Sequence, residues 1–447
     1  EVLLLEGAVN DAAVGRRALA KAAARLIPFM FVLYIVAFLD RVNVGYAALQ
    51  MNEDLGFSDA VYGLGAGIFF IGYLLFEVPS NLILERVGAR VWIARIMTTW
   101  GIISSAMFLV QGPLSFYVLR FLLGVAEAGF FPGMILYLTY WFPARERAKM
   151  VALFMTAVAI AGVIGGPLSG WLLTFDGFLG LAGWQFLFLA EGIPAILLGF
   201  AVLAYLPDRP AQARWLEPEE RRWLEAMLER ENRIKRAHGE HTLRRALTNG
   251  RVWLLSLVYF GIVTSLYGIS FWLPTIIKEF SGLDEFLVGL LSAIPYLAAA
   301  VGMVLFAWHS DRTGERRWHL AVPAALAALG MALTGPAGGS AVLQMAVLTL
   351  AALGIYSCLG TFWTLPAAFL SGTAAAAGIA LINSVGNLGG FVGPYVVGYI
   401  RELAGANYGA MLFLAALILL AGLLVLLVRH DRSLEEVEEA TAAGPAA

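Results

Sequence analysis

The chain has 447 residues, 60% of them hydrophobic and 14% charged, where an average soluble domain is about 25% charged. With a mean hydropathy of +0.78, a soluble fold of this size could not hide its apolar surface, so a polytopic membrane protein is expected. The net charge of −2 names no partner, and a single cysteine, Cys358, excludes an intramolecular disulfide.

In chain order, residues 1–25 form a basic amino-terminal segment with Arg16, Arg17, Lys21 and Arg25. It has no short apolar core with a cleavage site, so no cleaved signal is expected. Runs of roughly 20 apolar residues mark spanning helices. Twelve are predicted, at 26–49, 61–83, 92–111, 115–141, 148–175, 184–206, 252–278, 285–308, 319–335, 341–365, 374–402 and 408–429. They group as six in 26–206 and six in 252–429, an all-α membrane protein of two six-helix halves. The polar segment 207–251 joins them. Within it "EPEERRWLEAMLERE" reads as a helix with Pro218 in its first turn and acids leading. Its stripe of Trp223, Leu224, Met227 and Leu228 suits either the bilayer surface or a connector packed on the inner face. The tail 430–447 reads as a short helix that frays. All Lys and Arg except Arg41, Arg120, Lys278 and Arg401 fall on the side of the amino terminus. That bias predicts two cytoplasmic termini.

The halves repeat at a fixed offset. "ERVGAR" at 85–90 faces "DRTGER" at 311–316, so Glu85, Arg86, Gly88 and Arg90 map onto Asp311, Arg312, Gly314 and Arg316, each 226 on (311 − 85 = 226). Gly63 maps onto Gly289 at the same offset (289 − 63 = 226), and Pro167 onto Pro394 at 227 (394 − 167 = 227). The paired loops read as tight glycine turns whose charges serve as a latch between conformations. The glycines around Pro167 and Pro394 read as close helix packing.

Intramembrane charge does not repeat. Asp40, Arg41, Arg120 and Glu127 map onto Leu266, Tyr267, Ala346 and Leu353. A charge at the centre of a span costs about 2.5–3.5 kcal/mol, so these four are expected to share a wet cavity or to face each other. Arginine stays charged and offers a planar fork that matches a carboxylate. Arg41 and Arg120 are therefore candidate anion ligands. Carboxyls in low-dielectric surroundings favour their neutral form, which makes Asp40 and Glu127 candidate proton carriers. Tyr73, Tyr267, Trp363, Asn383 and Asn387 are the candidate walls of the pocket. No His-Glu-x-x-His or phosphate-loop motif occurs, so neither an enzyme nor an ATP-driven pump is expected. No metal or cofactor is expected either.

Twelve helices in paired halves, the doubled loop motif and the Gly-Pro fifth helix resemble the major facilitator superfamily over about residues 20–430. "LDRVNVGYAAL", "GYLLFEVPSNLILERVGAR" and "RFLLGVAEAGFFPG" are similar to its anion:cation symporters, the bacterial tartrate, hydroxyphenylacetate and sugar-acid permeases. The resemblance implies alternating access, with proton-coupled uptake of a small organic anion, a hydroxylated carboxylate such as tartrate or a sugar acid. It also places coupling and anion recognition on the first and fourth helices. The alternatives are sodium coupling, or an exchanger or exporter of the same superfamily. A monomer in a bacterial inner membrane, in contact with lipid and with no nucleic-acid partner, is expected.

Overall fold

The computed structural model describes residues 2–237, 248–369 and 372–428. Among them the regular structure is entirely helical. The first seven helices are α1 (Val2–Leu55), α2 (Asp59–Val87), α3 (Ala89–Ala106), α4 (Pro113–Glu127), α5 (Phe130–Thr139), α6 (Ala144–Leu173) and α7 (Gly183–Tyr205). A linker helix, α8 (Pro218–Ala237), follows. The last seven are α9 (Gly250–Ser281), α10 (Glu285–Thr313), α11 (Trp318–Ala332), α12 (Ala341–Phe362), α13 (Thr364–Phe369), α14 (Gly372–Ala404) and α15 (Asn407–Val425).

Among the described residues ten stretches are long and apolar enough to cross a membrane, the pair α4–α5 and the pair α12–α13 each counting as one; α11 is a shorter apolar helix. With the 33-residue α14 these make the twelve expected rods. Exposed side chains such as Leu197, Leu297, Val301 and Leu423 clothe the outside, as hydrocarbon requires of a surface that offers backbone groups no partner.

Two features differ from the sequence reading, and the linker helix takes the packed of its two expected arrangements. The amino-terminal segment continues the first span without a break, since α1 begins at Val2. The fourth span is broken at Ala128–Gly129, where Gly129 takes φ 83°, and the tenth is interrupted at Trp363. The linker helix packs on α1 rather than presenting its whole stripe to a bilayer. Leu224 and Leu228 are buried, the Trp223 ring lies against Gly15, and only Met227 is well exposed. The tail 430–447, His238 and His241 lie outside the described residues.

The repeat reappears as backbone chemistry. Gly56 and Gly282 turn with positive φ of 64° and 65°, and so do Gly88 and Gly314 at 99° and 65°, a region glycine enters at no steric cost. Ser58 caps α2 through the Val61 amide and Asp284 caps α10 through the Leu287 amide. Each pair is 226 residues apart (282 − 56, 314 − 88, 284 − 58).

Two of the contacts that join the first seven helices to the last seven bring glycine to glycine. A Cβ on Gly289 would lie 2.2 Å from the Gly166 carbonyl oxygen, and one on Gly166 would lie 2.4 Å from that of Gly289. In the second contact, a Cβ on Gly63 would lie 2.6 Å from the Pro394 oxygen and one on Gly398 2.4 Å from that of Asp59. Helix α6 thus meets α10 as α2 meets α14, backbone to backbone. Both contacts sit at the end of the bundle away from α8. There Arg401 also pairs with Asp59 at 3.0 Å and with Glu279 at 2.6 Å, and Glu402 accepts the Ala60 amide at 2.8 Å. This distal end is closed.

Substituting Gly289→Ala forces α6 and α10 apart and is expected to cost about 1–3 kcal/mol, the usual range for overpacking. Thermal unfolding followed by tryptophan fluorescence checks this against Gly250→Ala, where a Cβ meets nothing. A second expectation concerns α8. Burial alone would push the Glu220 carboxyl up. Hydrogen bonds from Lys21 and the Glu217 amide, with the charges of Lys21 and Arg17, bring it below the ordinary carboxylate range. A lowered folded value contributes stability above the unfolded pKa of about 4.3, and that stability is lost as pH falls through the folded value. Protection factors in α8, exchange rates corrected for the intrinsic effect of pH, are therefore expected to be high at neutral pH and to fall in acid, and Glu220→Gln should remove the difference.

Candidate functional site

Neighbouring side chains on a helix point about 100° apart, and on α1 this sends Asp40 and Arg41 to different places. Arg41 turns to the middle of the bundle. Its Nη2 donates to Glu127 Oε1 and its Nη1 to the Tyr267 hydroxyl at 2.9 Å. The guanidinium lies 5.5 Å from the Phe69 ring centre and 5.6 Å from that of Tyr73, within cation–π range. Glu127 is the last residue of α4, and its position follows from the break. Gly129 adopts a left-handed turn against Ser80, and Pro132 has no amide to offer the carbonyl four residues back, which ends the helix there. The carboxyl end of α4, with its partial negative charge, therefore faces Arg41 together with Glu127.

Arg41 and Tyr267 are also repeat mates (267 − 41 = 226). One turn on, Gly45 abuts the Phe271 carbonyl, where a Cβ would lie 2.9 Å from its oxygen, and these too are 226 apart (271 − 45). Helices α1 and α9 thus meet along the axis that relates the two halves.

A cavity opens beside this pair, with about 620 Å³ of atom-free space, part of it open to solvent. Arg41, Tyr73, Tyr267, Trp363, Asn383 and Asn387 all line it. Aromatic and aliphatic groups, among them Tyr34, Phe38, Phe70, Phe131 and Tyr259, complete the wall. Tyr259 stacks on Phe362 at 4.7 Å and meets Trp363 edge-on at 4.9 Å.

The other two expected charges stand behind this wall, which corrects the reading of four charges in one cavity. Arg120 is fully buried, donating from Nε to the Gly65 carbonyl at 3.3 Å and from Nη2 to that of Ala66 at 3.1 Å. Gly124 allows this approach, since a Cβ there would lie 1.9 Å from the Phe69 oxygen. Nη1 of Arg120 has no partner. Asp40 turns inward among the first seven helices, where its Oδ2 accepts the Trp100 indole at 2.6 Å and its Oδ1 is unpartnered.

Two buried acids escaped the sequence reading. Glu77 on α2 accepts Asn383 Nδ2 at 2.6 Å, and Glu191 on α7 accepts the Ser169 hydroxyl at 2.8 Å. Both lie inside apolar runs, "GYLLFEVPSN" and "FLAEGIPAILLGF". That is the signal by which Asp40 was picked out, and it would have found them. The paired loops meet different partners in the two halves. The Arg90 amide donates to Asp208 at 2.8 Å, Arg316 pairs with Asp311, and Arg312 lies over the Trp308 ring. No group of three or more His, Cys, Asp or Glu able to hold a metal gathers among the described residues.

An all-helical bundle around an aromatic cavity lined by one charged side chain, Arg41, defines a multi-pass membrane protein of the transporter class. The sequence pattern of the Major Facilitator Superfamily matches residues 30–394, and the chain belongs to that superfamily. It is a transport protein and not an enzyme. It is 54% identical to a protein of Agrobacterium vitis named "Putative tartrate transporter", over 92% of this chain and 94% of that one. It is 48% identical to a "Quinolone resistance transporter" of Acinetobacter baumannii, over 90% and 92%. Among solved structures, a bacterial homologue of the human lysosomal transporter Spinster, inward-facing and occupied, superposes with a TM-score of 0.73 at 17% identity, over 90% of this chain and 96% of that one. At that identity the likeness concerns the fold alone.

Proposed function

We propose that the protein is a proton-coupled importer of a small hydroxylated organic anion in a bacterial inner membrane, working as a monomer by alternating access. The observation that carries this reading is the sharing of Arg41 between Glu127 and Tyr267 at the cavity wall. When Glu127 is ionised it occupies the guanidinium. When it takes a proton it releases that fork to a substrate carboxylate, so proton and anion binding favour each other, the linkage a symporter needs. Asp40 is the second proton carrier, and Arg120, expected from the sequence as an anion ligand, instead holds α4 against α2 through the Gly65 and Ala66 carbonyls. Tyr73, Tyr267, Trp363, Asn383 and Asn387 shape the pocket. The relatives named for tartrate support a carboxylate cargo.

In this reading the α8 end faces the cytoplasm, with both chain termini on that side, in line with the Lys and Arg bias. The closed distal end faces out. The loop residues Glu85, Arg86, Gly88 and Arg90, with Asp311, Arg312, Gly314 and Arg316, latch the cytoplasmic side in the opposite conformation. Export is the alternative, favoured by the relative named for quinolone resistance. An arginine as the cavity's charge argues for an anionic cargo in either direction.

Glu127→Gln is expected to keep or tighten anion binding while abolishing proton-driven accumulation. Liposomes holding a pH-sensitive dye, without sodium, are challenged with tartrate and galactonate one at a time. Lumen acidification by the native chain that Glu127→Gln removes supports the reading. A variant that still concentrates substrate overturns the role given to Glu127, and uptake that needs sodium overturns proton coupling.

A further inference from the structure

We infer that Asp40 and Glu191 form one proton-binding site inside the first seven helices, separate from the cargo cavity, in which Asn43 and Ser104 hold the water through which the two carboxyls share a proton. The inference rests on the carrier reading for its role in transport, and it gives Glu191 a place there. Small residues bring the pieces together. A Cβ on Gly101 of α3 would lie 2.8 Å from the Gly192 carbonyl oxygen of α7, and one on Gly192 would lie 2.9 Å from that of Gly101. The chain neighbours of these glycines, Trp100 and Glu191, are therefore at one level. Trp100 is the residue that donates to Asp40, at 2.6 Å. On α1, Asn43 follows Asp40 by about one turn and so shares its face. Neither of the two lines the cargo cavity.

Polar atoms outnumber their partners at this place. Asp40 Oδ1, Glu191 Oε2, the Ser104 hydroxyl and both amide atoms of Asn43 are buried and unpartnered, on residues that are at most 5% exposed. Ser104 stands beside Asp40, and Asn43 beside Glu191. Atoms left so keep their full desolvation cost, which an ordered water relieves where several of them converge. Charge is unbalanced too. Glu191 is the charged group that acts most strongly on Asp40, with Glu127 of α4 behind it, and Tyr46 of α1 is a further titratable neighbour of Glu191. The groups that act most strongly on the two acids include no Lys or Arg. Two like charges close together in a low-dielectric interior disfavour each other, and a proton between them removes the conflict.

The site backs onto the contact that closes the distal end. Glu191 Oε1 accepts the Ser169 hydroxyl at 2.8 Å. Ser169 stands between Gly166 and Gly170, the two α6 residues whose backbones meet Gly289 of α10. Parting of α6 from α10 therefore acts on the acid pair through Ser169, which links the proton held there to opening of the distal end.

The test is infrared difference spectroscopy of the full chain in nanodiscs, stepped from mildly acid to alkaline pH, which follows the carbonyl band of each protonated carboxyl. Glu191→Gln is expected to remove one band and to move the titration midpoint of the Asp40 band by about one pH unit or more, the strength of coupling at which two groups titrate as a pair. Asp40→Asn should do the same to the Glu191 band. Asn43→Ala keeps both acids and should weaken the coupling, which a purely structural role for Glu191 would not produce. If Glu191→Gln does not fold, Glu191→Asp is read in its place, with its band kept and the coupling reduced. Two bands that titrate independently, each lost with its own acid and unmoved by loss of the other, overturn the shared site, and proton-driven uptake by the native chain would then leave the carrier reading standing. Coupled bands in a native chain that moves no proton with any cargo support the site and overturn the carrier reading.

Discussion

An arginine in the middle of a membrane protein keeps its charge wherever it is placed, and the inside of this bundle is organised around meeting that charge at Arg41. Glu127 and Tyr267 supply its partners, and Phe69 and Tyr73 supply the faces over which it lies. To bring Glu127 there the fourth span has to end in mid-membrane, which Gly129 and Pro132 allow. Broken helices are tolerated at such depth where they line a cavity, since the freed backbone groups then find partners or water. The charge, the break and the cavity are thus one arrangement.

The scaffold that carries it has a different logic. Backbone turns, helix caps and glycine contacts recur at the repeat offset, so both halves are built with the same devices. Charge in the interior obeys no such rule. Arg41, Arg120, Asp40, Glu77, Glu127 and Glu191 all belong to the first seven helices, and the last seven answer with neutral donors such as Tyr267, Asn383 and Asn387. One half therefore holds the groups that can change protonation. The other meets them with neutral hydrogen-bonding groups at Tyr267 and Asn383, and the cavity lies where the two meet.

Much of this was legible in the chain. Span number and the paired halves could be read because apolar length and turn chemistry are local properties. Arg41 and Glu127 could be read because a charge in an apolar run has few innocent explanations. The direction of Asp40 could not. Its 100° separation from Arg41 says that the two diverge, but only the position of Trp100 on α3 says where Asp40 goes. The break at Ala128–Gly129 was masked because glycine and proline also occur inside unbroken spans here, as Pro79 and Pro167 do. Glu77 carried a visible signal. Its meaning depends on Asn383, 306 residues away in the chain, and no spacing rule reaches that far.

The contact between Arg41 and Tyr267 has a consequence for how such a site can arise. Residues at equivalent positions touch only on a symmetry axis, and in an assembly of two identical subunits each would face its own copy. An arginine there would confront another arginine, a like-charge pair that is disfavoured. Fusing the halves into one polypeptide removes that restriction, because each side of the axis is then encoded separately. Position 41 could become cationic while position 267 became a phenol. The most central charge of this molecule is therefore available only to a duplicated gene whose copies have diverged.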